Sequence, residues 1–203
     1  MKDLENDLRR NGRRDLTVAR QRAAELLRRR AEADGLVDIA YTTIDSPRGQ
    51  MLVAATANGL VALGLPRSSQ DQILWELSRR VSPRLLEAPE RLDGVRRELH
   101  EYFEGKRKTF EMPVDWQLIH GFHTAVLRQA ARIPYGSVST YKEMAVRAGS
   151  PLAARAAGNA LATNPIPIVI PCHRVLATGG GLGGYGGGLD MKKWLLELEG
   201  ARL

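Results

Sequence analysis

The stretch NPIPIVIPCHRV, from Asn164 to Val175, holds the only cysteine of this 203-residue chain. Cys172 stands between Pro171 and His173, at the end of an apolar run of Ile166, Ile168, Val169 and Ile170 that should be buried, and Arg174 follows. A thiol attacks carbon well only as the thiolate, and a partly exposed cysteine beside His173 and Arg174 is placed where its pKa would be lowered. A lone cysteine after a buried run is more often an inert core residue, so the rest of the chain has to decide.

The elements before it point outward. Phe122, Val126, Leu127, Ala130 and Ile133 trace one face of a helix that ends in Pro134-Tyr135-Gly136. Ser139-Thr140 then caps a short helix from Tyr141 to Arg147, a break follows at Ala148 to Pro151, and a second helix runs from about Leu152 to Thr163. Two short helices joined by a glycine-containing turn make a helix-turn-helix pattern. The second helix is almost without bulk, with Ala153, Ala154, Ala156, Ala157, Gly158 and Ala160, and Arg155 is the only long side chain among them. Close helix packing explains one face of alanines but not all of them, whereas small residues on an outer face let the backbone approach a nucleic-acid groove.

After Cys172, residues 179–188 are glycine at eight of ten positions, interrupted by Leu182 and Tyr185. Such a loop is a connector or a backbone that comes close to a ligand. It lacks the lysine that follows a phosphate-binding loop. A last amphipathic helix, Asp190 to Gly200, turns Trp194, Leu195 and Leu198 inward and carries Lys192 and Lys193 near its start and Glu199 at its end.

The preceding residues read as support. Leu36–Thr42, Met51–Thr56 and Leu60–Leu65 alternate as strands, with Asn58-Gly59 as a tight hairpin between the last two. Ser69 and Gln72 open a helix with Ile73, Leu74, Leu77 and Val81 inside. A helix around Pro89 to Glu104, stopping at Gly105, and a strand over Lys108 to Val114 complete a scaffold without useful chemistry of its own. Residues 1–35 form a helical, arginine-rich extension, with Leu4 and Leu8, then Leu16, Ala19, Ala23 and Leu26 or Leu27 at helical spacing, and a stop at Gly35. The domains expected are therefore 1–35, 36–115 and 116–203.

Composition agrees. The net charge is +7: residues 1–35 carry ten basic and seven acidic side chains, 36–115 eleven and twelve, and 116–203 nine and four. The basic half is the one with Cys172, which suits a polyanionic partner. One cysteine excludes an internal disulfide, and His100, His120, His123 and His173 show no zinc-ligand spacing. With no apolar run of some eighteen residues and a charged start, neither membrane span nor secretory signal is expected, and the protein should be cytoplasmic.

In the motifs IPYGSVSTYKEMA (133–145), ARAAGNALATNP (154–165), IPCHRV (170–175) and GGYGGGLDMKKWLLELEG (183–200), the chain resembles the O6-alkylguanine-DNA alkyltransferases. DSPRGQMLVAATANGLVALGL resembles the family's N-terminal hairpin. The likeness implies an α+β fold: a small antiparallel-sheet domain, ribonuclease H-like in the family, then a mostly helical domain with a helix-turn-helix. It implies DNA repair by irreversible, single-turnover transfer of an alkyl group from O6-alkylguanine in double-stranded DNA to Cys172, with O4-methylthymine as a second candidate substrate. His173 would be the base, acting through a water, and Glu199 would orient it. Asn164 would be the hinge tying the helix-turn-helix to the active-site strand. Tyr141 would rotate the target's phosphate and donate a proton to the leaving guanine. Arg155 would fill the place of the extruded nucleotide from the minor groove, with Ala154, Ala156 and Gly158 lying close to DNA and Thr178 near a contact. Tyr185, Gly186, Val175, Leu161 and Pro171 would wall the base pocket. The family needs neither cofactor nor metal, and the chain would be a monomer that can cluster on DNA.

His123 and Leu127 occupy positions where the family commonly has Gln and Trp, a change at the domain junction. Non-catalytic relatives usually carry tryptophan in place of the cysteine, so Cys172 argues for activity. A lesion sensor would use the same motifs without transfer. A thiol hydrolase built on Cys172 and His173 would explain neither the helix-turn-helix nor the basic half.

Overall fold

The alternation over residues 39–64 folds as a meander of three strands. A computed structural model describes residues 34–201 and, ahead of them, Ala19, Arg22, Ala23, Glu25, Leu26, Arg30 and Ala31, which are helical. Leu4, Leu8, Leu16 and Leu27 lie outside the described residues. The chain divides into two units, Met1–Asp38 and Ile39–Leu203, and every labelled element belongs to the second. Strands β1 (Ile39–Ser46), β2 (Gly49–Thr56) and β3 (Gly59–Gly64) pair antiparallel, and a short β4 (Leu85–Glu87) joins β1 in parallel, giving the order β3-β2-β1-β4.

The tight turn between β2 and β3 is Ala57-Asn58, one residue earlier than expected, and Gly59 is already paired with Thr56. Gly59 has a φ of +130°, and a Cβ there would collide with the Pro113 carbonyl, which accepts from Leu60 N at 2.8 Å. Only glycine permits that approach.

Helix α1 (Gln70–Arg80) starts where Ser69 accepts from Gln72 N and buries Leu77. Single-turn 3-10 helix Pro89–Leu92 leads into α2 (Asp93–Phe103), whose inner face buries Leu99, Tyr102 and Phe103. The strand expected over Lys108 to Val114 is absent. Glu98 Oε2 accepts from Glu111 N at 2.8 Å, Pro113 has no N–H to give, and only Val114 forms a bridge, to Leu60.

The second half is helical: α3 (Gly121–Ala130), α4 (Tyr141–Arg147), α5 (Ala154–Ala162) and α6 (Leu189–Leu198), with two-residue strands β5 (Ser139–Thr140) and β6 (Val175–Leu176) paired in parallel. One apolar core runs through both halves, from Met51 and Leu60 to Leu127, Ile166 and Leu195. Each such fully buried aliphatic side chain contributes about 1.5–3 kcal/mol. The sheet edge also reaches the cysteine segment, where Leu63 N donates to Pro165 O at 2.8 Å. Among the described residues no helix is long and apolar enough to cross a membrane.

Candidate active site and nucleic-acid interface

Local side-chain chemistry fixes the first residue of α4. Thr140 Oγ1 accepts from Glu143 N, Glu143 accepts from Thr140 N, and Ser139 donates to the same carboxylate. This full capping box sets Tyr141 at the helix start, where its hydroxyl donates to Gly184 O at 3.4 Å. The loop crosses the ring because residue 183 is glycine: its φ is +65°, and a Cβ would stand 2.5 Å from the Tyr141 oxygen.

Helix α5 packs on α3 and α4 through Ala157, Ala160 and Leu161. Arg155 and Ala156 are exposed, and Ala154 and Gly158 are half-buried. One face of the small-residue helix is thus core and the other open. Ala154, Arg155 and Gly158 join Tyr141, Thr178 and Cys172 around a cavity of about 460 Å³, which Ala156 does not line.

Ile166, Ile168 and Ile170 are buried as the apolar run predicted and Val169 is half-buried, but residues 164–171 form no strand. Pro165, Pro167 and Pro171 lack donors, Ile170 N closes a turn on Ile166 O at 2.9 Å, and Ile168 sits at a φ of +73°. A β-branched residue in that region is strained and persists only where packing fixes it, as at fully buried Ile168. Asn164 holds the turn together: Oδ1 accepts from Ile166 N at 3.0 Å, and Nδ2 donates to Ile170 O at 2.8 Å and to Cys172 Sγ at 3.2 Å. Turn and amide together aim the thiol.

The thiol is not in the state its neighbours in sequence suggested. Cys172 is 6% exposed, and burial pushes it up to about 11, against the opposing pull of the Asn164 hydrogen bond and the Lys192 charge. Arg174, expected to help lower it, is turned elsewhere: Nε and Nη2 grip the two oxygens of Glu199 at 2.8 Å each, and Nη1 donates to Ile133 O at 2.5 Å.

Glu199 is the hub of a buried array. Its Oε1 also takes the Tyr102 hydroxyl at 2.6 Å and faces His173 Nε2 at 2.9 Å, while Oε2 accepts from Gly136 N at 3.3 Å. Burial by itself would raise this carboxyl, but His173, Arg174 and Tyr102 outweigh it and hold it at about 2. An ionised carboxylate only accepts, so His173 Nε2 must be the donor and Nδ1 carries the lone pair. Burial lowers the His173 pKa, which keeps the ring neutral, and Nδ1 is buried with no partner among the described residues. A neutral imidazole with its free lone pair inside a closed site is a base in waiting.

Two side chains escaped the sequence. Tyr102 comes from the part read as scaffold, where it passes for a core aromatic at helical spacing. Lys192, one of two adjacent lysines, is fully buried and donates to Val175 O at 2.6 Å, Leu182 O and Gly184 O at 3.4 Å. Burial lowers it to about 8. It ties the glycine-rich loop to β6, with its ammonium 5.9 Å from the centre of the Tyr141 ring.

Of the expected pocket walls, Tyr185 and Leu161 line the cavity beside α5, Gly186 lines a second cavity, and Val175 and Pro171 are buried outside both. The Tyr185 hydroxyl is buried without a partner among the described residues. Among the described residues no group of three or more His, Cys, Asp or Glu could hold a metal ion.

Residues 121–201 match the family model for the DNA binding domain of 6-O-methylguanine DNA methyltransferase, and residues 39–116 match that for its ribonuclease-like domain. The inducible methylated-DNA–protein-cysteine methyltransferase of Bacillus subtilis is 38% identical over 148 residues, covering 72% of this chain and 82% of its own. That of Methanosarcina barkeri is 38% identical over 159 residues, 78% and 96%. Among solved structures, Mycobacterium tuberculosis OGT in complex with DNA aligns with a TM-score of 0.68 at 36% identity, over 79% of this chain and 92% of that one.

Proposed function

Because the chain belongs to the 6-O-methylguanine DNA methyltransferase family, we propose that it repairs DNA by moving the alkyl group of O6-alkylguanine irreversibly onto Cys172. The observation that carries this reading is the juxtaposition at one thiol: Cys172 Sγ, held by Asn164, lines the same cavity as Tyr141 and Arg155 of the two short helices. DNA is the partner, as for the relatives. Arg155 and the small residues of α5 enter the minor groove, and Arg155 takes the place of the extruded guanine, whose O6 is otherwise out of reach in the stack.

The steps follow from the protonation states. The thiol, at about 11, rests protonated. A water bridging Sγ to His173 Nδ1 carries its proton to the imidazole, and Glu199, ionised and fixed by Arg174 and Tyr102, supports the imidazolium. Sulfur attacks the alkyl carbon as the C–O6 bond breaks, and its electron pair leaves with guanine. Tyr141, whose pKa burial raises, stays protonated and donates to the departing base. The product is a thioether with no second thiol to reverse it, so each molecule acts once.

Intact-mass spectrometry after mixing with a duplex containing one O6-methylguanine tests this. An addition of about 14 Da at Cys172 that stops at one equivalent is expected. Selective binding of the lesion without any mass change would instead make the protein a sensor.

A further inference from the structure

Helix α5 has three sides. Ala157, Ala160 and Leu161 are turned to the core, and Ala154, Arg155 and Gly158 border the cavity that holds Cys172. At about 100° per residue, the side beyond Arg155 carries Ala156 and Asn159, both exposed and lining neither cavity. Asn159 is the polar group of that side. Its backbone carbonyl accepts from Thr163 N at 3.1 Å and from Thr163 Oγ1 at 3.0 Å, but its side-chain amide bonds to no group among the described residues. Asparagine is among the weaker helix formers. In the middle of α5, where it caps nothing, this one adds nothing to the fold.

We propose that Asn159 determines sequence preference: its amide reads the minor-groove edge of the base pairs beside the lesion and favours G·C over A·T. The inference rests on the alkyl-transfer reading above, in which α5 enters that groove and Arg155 takes the vacated place. Asn159 stands four residues on from Arg155, about 6 Å along the helix. That is less than two base-pair steps of about 3.4 Å, so the pairs within its reach are the first and second neighbours of the lesion. In the minor groove an A·T pair offers only acceptors, adenine N3 and thymine O2, whereas G·C adds the donor at guanine N2. A carboxamide brings one acceptor, Oδ1, and a donor, Nδ2. On guanine, Oδ1 accepts from N2 while Nδ2 donates to N3, and both groups are satisfied. On A·T, Nδ2 finds an acceptor but Oδ1 is desolvated against acceptors and stays unpaired. Ala156, the neighbouring residue on that side, has only a methyl group and leaves room for the backbone to come close.

The test uses duplexes with one O6-methylguanine whose two neighbouring pairs on each side are all G·C or all inosine·C, because inosine is guanine without the N2 amino group. Second-order transfer rates below saturation are compared for wild type, Asn159→Ala and Asn159→Leu, the last keeping the bulk of the side chain without its amide. Wild type should react about tenfold faster in the G·C context, equivalent to about 1.4 kcal/mol. Inosine·C pairs are weaker and ease extrusion of the lesion, so duplex stability alone pushes the rates the other way. In both variants the G·C advantage should vanish, while transfer from free O6-benzylguanine, which has no groove, stays at the wild-type rate. Equal rates in the two contexts for wild type, or a G·C advantage that survives in either variant, overturns the proposal. Failure of wild type to take methyl from any duplex would sink the underlying reading instead.

Discussion

Replacing Lys192 by methionine separates electrostatic support of the thiol from packing, because methionine fills much the same space without charge or donors. Two effects on stability oppose each other. Burial lowers Lys192 from a lysine's ordinary 10.5 to about 8, a cost of at most roughly 3.4 kcal/mol at 1.36 kcal/mol per pH unit, less where solvent screens it, and the variant is relieved of it. Against this, the Val175 and Leu182 carbonyls lose their partner, at about 1–3 kcal/mol each. The two nearly cancel, so an imbalance of about 2 kcal/mol would move Tm by less than about 8 °C. The thiol has no such compensation, since the Lys192 charge is one of the influences holding Cys172 down to about 11. Contact between unit charges reaches about 4 kcal/mol at an effective dielectric constant near 20. Lys192 directs its donors at carbonyl oxygens rather than at sulfur, so about 1.4 kcal/mol, tenfold in thiolate population, is the expected size. The assay is single-turnover benzyl transfer from free O6-benzylguanine, which needs no DNA. At neutral pH the variant should be about tenfold slower. The Lys192 charge disappears above about 8, so the gap should narrow on going to about pH 9. A variant as fast as wild type, or a deficit that is the same at every pH, would refute the electrostatic role.

Glu199→Gln should slow transfer with little change in the DNA affinity of the folded protein, and it should also destabilise. Arg174, buried with only 6% of its side chain exposed, would face a neutral amide, at about 3–5 kcal/mol for a broken buried pair. Urea denaturation of wild type should show the same group titrating. Its pKa is depressed to about 2 in the folded protein, so its contribution is full above the ordinary carboxylate range and is lost as pH falls from about 5 towards 2. A variant with wild-type stability and an equal acid response would remove Glu199 from the hub. Arg155→Ala should weaken repair of duplex lesions about tenfold or more while leaving reaction with free O6-benzylguanine nearly intact. Equal losses on both would count against base extrusion.

What the sequence made legible was chemistry between near neighbours. Ser69 with Gln72 and the Ser139-Thr140 cap are side chains bonding to backbone within one helical turn, and both helices begin where they say. The apolar residues from Met51 to Leu63 mark two strands without reference to anything distant, and both faces of those strands are covered. Errors arose where a remote group took over a local bond. Lys108 to Val114 has the alternation of a strand, but Glu98 claims two of its N–H groups and Pro113 lacks one. Ile166, Ile168 and Ile170 before Cys172 are as buried as their side chains demand, with Val169 half-buried, yet three prolines leave the run too few donors for a ladder.

The site divides along the same line. Asn164 bonds to Cys172 across eight residues, and the two stand in one motif. Tyr102 reaches Glu199 across ninety-seven and Arg174 across twenty-five, and no periodicity connects positions so far apart. Reading the thiol from its flanking His173 and Arg174 therefore gave the wrong sign, because burial raises the thiol and the guanidinium neighbouring it in sequence neutralises a carboxylate instead. Lys192, twenty residues further on and in the sequence only one of two lysines near a helix start, is the cation that acts on the sulfur. A motif can supply the reacting atoms, but their protonation depends on which buried charges the fold has already paired.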